Sequence, residues 1–143
     1  MTTESQVTDY KKPLPRLENP TLTQPFWDAA KRHELVVQRC RNHNGFFWPP
    51  RELCPVCLST NLEWAPVSGK GHVYSFTVVY QAGNPAFADD APHVFAHVQL
   101  DEGPRLSTNI VGCPADRVEV DMAVTVQFDD VTPDWTLVKF RPT

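Results

Sequence analysis

Three cysteines and one histidine are spaced as two metal-ligand pairs, Cys40-x-x-His43 and Cys54-Pro-Val-Cys57. Two residues between donors let a tight turn point both side chains at one ion, and two such turns facing each other complete a tetrahedron around zinc. Protein would then fill all four positions, so the ion would hold the fold together without activating a water. Gly45 can relax the first turn and Pro55 stiffens the second, while Pro49-Pro50 suit a short extended link between them. A redox role for Cys54 and Cys57 would want a thioredoxin-like βαβ unit, and no such pattern surrounds them. The fourth cysteine, Cys113, stands far off beside Pro114 and reads as a small buried residue, not a nucleophile.

The other titratable residues assemble nothing comparable. His33, His72, His93 and His97 are scattered, with no metalloprotease helix motif and no nucleophile elbow near them. His93 and His97 share a strand face, but i and i+4 on a strand stand about 13 Å apart, too far to bind one ion together. No catalytic residue is assigned.

The elements that must position the four ligands follow from the flanking pattern. Residues 1–20 are polar, carry Pro13, Pro15 and Pro20, and show no hydrophobic period, so they read as an extended arm. Thr23 is expected to cap a short helix with Pro25 just inside it, Phe26 and Ala30 on one face, and an end near His33 or Glu34. Leu35 to Arg39 then favour a strand running into Cys40.

Beyond Trp64 the texture becomes that of a β-protein. Gly71 to Tyr80 alternates, with Tyr74, Phe76, Val78 and Tyr80 on one side and Val73, Ser75, Thr77 and Val79 on the other. A loop of Gly, Pro, Asp and Ala leads to a second strand, His93 to Leu100, with Val94, Ala96, Val98 and Leu100 on one face. Asp101-Glu-Gly-Pro104 is a turn, and Arg105 to Val111 is a third strand. An irregular link from Gly112 to Met122 precedes two more, Val124 to Phe128 and Thr136 to Phe140. Five strands with the longest interruption between the third and fourth predict an all-β chain ending in a five-stranded OB-fold barrel, with a small sandwich as the alternative. The divisions are an arm (1–20), a helix and zinc ribbon (21–67) and a barrel (68–143).

Composition sets the outer limits. A chain of 143 residues with 41% hydrophobic content can bury one core plus a metal-stapled module, and two large domains are excluded. No stretch reaches the ~18 apolar residues of a membrane span, and the opening lacks the apolar core of a secretory signal. Free thiols as ligands then point to the reducing cytoplasm. A formal charge of −4 argues against a general nucleic-acid binder, although Lys31, Arg32, Arg39, Arg41 and Arg51 gather around the cysteines. These five read either as a solvated face or as a local basic patch. The aromatics Phe46, Phe47, Trp48, Trp64, Tyr74, Phe76 and Tyr80 also have two readings, a seam between ribbon and barrel or an exposed surface for a partner.

The order of the short motifs adds a resemblance. Pro25-Phe26-Trp27, Leu35-Val-Val-Gln-Arg-Cys40, Trp48-Pro-Pro-Arg51, Cys54-Pro-Val-Cys57, Ser68-Gly-Lys-Gly71 and Val73-Tyr-Ser75 resemble the family of rubredoxin-like zinc ribbons fused to an OB barrel, domain of unknown function 35. The likeness runs from about Pro13 to Pro142 and includes the Leu100-Asp-Glu-Gly-Pro-Arg105 turn. Two positions depart from the family pattern. His43 stands where a second cysteine is usual, and Asp121 where a glycine often precedes the fourth barrel strand.

The resemblance implies one structural zinc and a non-catalytic accessory subunit. Its partner would be a thiolase-fold enzyme, an acyltransferase or steroid side-chain aldolase, or a hydratase-fold enzyme, acting on acyl-CoA. If the thioester passes near this chain, Arg39, Arg41 and Arg51 are the contacts expected for its phosphates, because guanidinium groups pair bidentately with phosphate oxygens. The alternative is a single-stranded nucleic-acid binder stacking bases on Tyr74, Phe76 and Tyr80. Against it, acids outnumber Lys70, Arg105, Arg117, Lys139 and Arg141 in the barrel half.

Overall fold

A computed structural model describes residues 10–143, so the first part of the expected arm, residues 1–9, lies outside the described residues. Helix α1 spans Pro20–Lys31 and starts earlier than Thr23 suggested. Asn19 is the cap, its Oδ1 accepting from the Leu22 N–H at 3.4 Å, and Pro20 fills the first helical position, where a missing N–H costs little. The Thr23 hydroxyl donates back to the Asn19 carbonyl instead, and Pro25 falls inside the helix. Phe26, Ala29 and Ala30 form the buried face.

That face joins two β-modules. Strand β1 (Val36–Cys40) lies between β2 (Phe46–Phe47) and β3 (Leu62–Pro66) in an antiparallel sheet, from Val36 opposite Pro66 to Cys40 opposite Leu62. The second module is a closed barrel of β4 (Lys70–Val79), β5 (His93–Leu100), β6 (Arg105–Ile110), β7 (Ala123–Asp130) and β8 (Thr136–Pro142), in the order β4-β5-β6-β8-β7. The barrel closes between β6 and β8, which run parallel and pair at Ile110 and Phe140. Phe26 packs its ring 4.8 Å from Trp48 of the ribbon, while its neighbour Trp27 meets Trp135 of the barrel edge-on at 5.1 Å. Phe26, Leu35 and Val37 thereby share one buried cluster with Val73, Val98, Leu100, Val124 and Phe140. At the helix end, His33 stacks on Phe128 and its Nε2 lies 2.8 Å from Asp130 Oδ2. The Thr136 hydroxyl and His33 hold the Asp130 carboxyl below the usual carboxylate range.

Strand β4 departs from simple alternation. A bulge between Val73 and Ser75 puts an extra residue, Tyr74, into the strand. Parity therefore switches, so Val73 and Phe76, expected on opposite faces, both turn toward the core, while Tyr74 is left outside with the Arg105 guanidinium 3.7 Å above its ring. Strand β5 keeps the expected pattern, with Val94, Ala96, Val98 and Leu100 buried.

Asp121, ahead of β7, occupies the left-handed region at φ 68. That conformation costs a side-chain-bearing residue roughly 1–2 kcal/mol, and the looser unfolded chain of a glycine returns roughly 0.4–1 kcal/mol of any gain. Asp121→Gly is therefore expected to stabilise the protein by about 0.5–1 kcal/mol, a rise in Tm of about 2 °C. A lower melting temperature would show that the Asp121 side chain contributes more than its backbone costs.

Candidate metal centre

The two ligand pairs sit on two turns of matching construction. Where β1 ends, the Cys40 N–H donates to the Gly45 carbonyl at 3.0 Å, and in the second turn the Cys54 N–H donates to the Ser59 carbonyl at 2.9 Å. Each turn is closed by a left-handed residue, Asn44 at φ 56 and Leu58 at φ 61. The donor atoms of Cys40, His43, Cys54 and Cys57 all lie within 4.8 Å of one another. His43 Nε2 is 3.0 Å from Cys54 Sγ, and the sulfurs of Cys40 and Cys57 are 3.6 Å apart. Cys40 and Cys54 are buried, with His43 and Cys57 on the outer side. Cys113 is not among them.

Three thiols and an imidazole at these separations fit zinc and leave no coordination position open. Burial pushes the Cys54 thiol up, but the Cys57 N–H, His43 and the Val56 N–H outweigh it and bring the thiol down to about 6. The Ser59 N–H pulls Cys57 down, yet burial and the crowding sulfurs of Cys40 and Cys54 push it up overall. A divalent ion held by Cys40, His43, Cys54 and Cys57 would relieve that crowding by offsetting most of the thiolate charge.

Gly45 matters through space as well as conformation. A Cβ there would come within 2.5 Å of His43 Cε1 and 2.6 Å of Nδ1. Gly45→Ala is accordingly expected to displace the imidazole and weaken zinc binding by about tenfold, a loss of the size seen when the support of a ligand is disturbed. Competition with a chromophoric chelator measures it, and an unchanged affinity would place His43 outside the coordination sphere.

The arginines around the site are less free than their sequence positions suggest. Arg39 Nε donates to Glu63 Oε1 at 2.7 Å with its terminal nitrogen on the same oxygen, and Arg41 Nε reaches Glu63 Oε2 at 3.2 Å. Arg39 and Arg41, in that order, hold the Glu63 carboxyl below its usual range. Glu63 faces Arg39 directly across the β1–β3 ladder, a pairing invisible until β3 is recognised. Arg51 is exposed and has no ion-pair partner among the described residues, while its backbone is held by the buried Gln38 side chain. Neither Gln38 nor Glu63 carries a local sequence signal.

The aromatics divide between the two readings. Phe46, Trp48, Trp64 and Phe76 pack against the core and Phe47 is buried, so these form the seam. Tyr74 and Tyr80 are exposed, Tyr80 to 77%. With Phe76 turned inward and Tyr74 covered by Arg105, the expected base-stacking row does not exist as a row. Cys113, expected to be buried, is half-buried and lines a 660 Å³ cavity at the barrel rim with Phe87, Phe95 and Val111. His97 shares a 3.1 Å hydrogen bond with Ser107, and His93 Nδ1 is buried without a partner among the described residues.

The described fold and site define a class, a four-ligand zinc ribbon sharing its core with an OB barrel. The ChsH2 rubredoxin-like zinc ribbon domain matches residues 27–63, and the ChsH2 C-terminal OB-fold domain matches residues 64–129. A DUF35 domain-containing scaffold protein of Methanocaldococcus jannaschii is 37% identical over 110 residues, covering 76% of this chain and 77% of the relative. A probable enoyl-CoA hydratase alpha subunit of Thermomonospora curvata is 41% identical over 118 residues, 82% of this chain, which spans only 36% of that relative's length. Among solved structures, a chain of the Ltp2-ChsH2(DUF35) aldolase superposes with a TM-score of 0.80 at 36% identity, covering 90% of this chain and 98% of that one. This chain belongs to the DUF35 family of rubredoxin-like zinc ribbons joined to an OB-fold domain. Among the described residues no helix is long and apolar enough to cross a membrane.

Proposed function

We propose that this chain is a non-catalytic accessory subunit that binds a thiolase-fold or hydratase-fold enzyme and shapes its acyl-CoA site. The observation carrying this reading is the match along 98% of a chain in the Ltp2-ChsH2(DUF35) aldolase. The hydratase alpha subunit and the scaffold protein among its relatives support it further. The zinc would stabilise the ribbon and present its second turn, on which Leu53, Val56 and Leu58 stand 44%, 78% and 70% exposed. Apolar side chains so displayed on a metal-anchored loop suit contact with another protein.

Arg51 is the first candidate for a CoA phosphate, because among the described residues its guanidinium has no acidic partner to give up. Arg39 and Arg41 remain candidates only if Glu63 yields to the phosphate. Thiolate ligands, which persist in a reducing compartment, support a cytoplasmic setting for this role. Turnover of an acyl-CoA by a thiolase- or hydratase-fold protein encoded beside this gene is expected to require both chains. Turnover by this chain alone would refute the accessory role.

A further inference from the structure

Residues 48–53 carry the chain into Cys54 without pairing in any strand. Among the described residues their only hydrogen bonds run to one side chain. Gln38 Nε2 donates to the Arg51 carbonyl at 2.9 Å, and the Arg51 N–H donates to Gln38 Oε1 at 2.6 Å. The Gln38 amide thus presents to Arg51 the donor and acceptor that a neighbouring strand's backbone would. Gln38 is 4% exposed and lies on β1, two residues before Cys40, so both side chains leave the same face of the strand.

The rest of the centre is fixed by other means. Cys40 pairs with Leu62 across the β1–β3 ladder. The far side of the second turn is tied to the first by the Arg41 N–H on the Asn61 carbonyl at 3.0 Å and by Asn61 Nδ2 on Asn42 Oδ1 at 3.1 Å. Only the approach to Cys54 depends on Gln38. We propose that Gln38 is a positioning residue of the metal centre, setting the separation of Cys40 and Cys54 through its paired hydrogen bonds to Arg51.

The assignment is independent of the accessory role and concerns the zinc protein itself. Gln38→Met keeps the volume and removes both hydrogen bonds, whereas Gln38→Glu keeps an acceptor for the Arg51 N–H and loses the donor. Zinc affinity, measured by chelator competition on the full chain, is expected to fall about tenfold or more in Gln38→Met, with Gln38→Glu between it and the parent. The cobalt-substituted protein supplies a signature that general destabilisation does not move: the visible bands of fully loaded Gln38→Met should shift in position or intensity. If Gln38→Met does not fold, the comparison of Gln38→Glu with the parent decides. Zinc affinity within twofold of the parent together with an unchanged cobalt spectrum, in Gln38→Met or in Gln38→Glu when it stands alone, would overturn the proposal.

Discussion

Chelation of zinc from the purified protein is expected to unfold the ribbon and lower Tm by more than about 10 °C, because structural zinc supplies roughly 10–16 kcal/mol of apparent binding energy to small ribbons. The residues around the site explain the dependence. The ligand turns contain no regular structure beyond β1 and the two-residue β2, and Cys40 and Cys54 are buried with their sulfurs facing the other donors. Without a cation the thiols are left crowded, and the backbone of the second turn and its approach is held, among the described residues, by its own hydrogen bonds and those of Gln38 and Asn61. Because the ribbon shares its buried cluster with the barrel through Phe26, Leu35 and Val37, the loss propagates into the barrel. Elemental analysis should give about one zinc per chain, retained in Cys113→Ser and lost in Cys54→Ser. A stripped protein that melts at the same temperature would show that the ion is dispensable.

Phe26→Ala is expected to cost about 3–5 kcal/mol, the range for deleting a buried aromatic ring. Phe26 is 6% exposed, meets Trp27 edge-on at 5.1 Å and Trp48 at 4.8 Å, and lies in the cluster common to helix, ribbon and barrel. Its removal opens a cavity where the modules meet, and both sides lose packing. Phe26→Leu should cost less, since it refills part of the space. Denaturant titration of the zinc-loaded protein measures both. A loss below about 1 kcal/mol for Phe26→Ala would mean that the modules hold together without the helix seam.

The parts of this molecule legible in its sequence are those governed by local pattern. Ligand spacing needs only a turn, so Cys40, His43, Cys54 and Cys57 announce their centre. Strand β5 is buried on one side, and its alternation survives intact. The start of α1 was obscured because Asn19-Pro20 and Thr23 through Pro25 both look like beginnings, and the earlier one prevails. In β4 an alternating run concealed the Tyr74 bulge, which is a property of the pairing with β5 and not of the residues alone. Strands β2 and β3 are too short, or too rich in Glu and Pro, to show a period, and exist because β1 supplies their partner. For the same reason the Arg39–Glu63 and Gln38–Arg51 contacts could not be read in advance. Each joins residues brought together by the ribbon after it folds.

The accessory role is tested most directly by native mass spectrometry of this chain mixed with a thiolase- or hydratase-fold protein encoded beside its gene. The expected result is a complex that survives at micromolar concentration and carries one zinc for each copy of this chain. Two separate species, with this chain folded and zinc-loaded but bound to neither kind of partner, would contradict it.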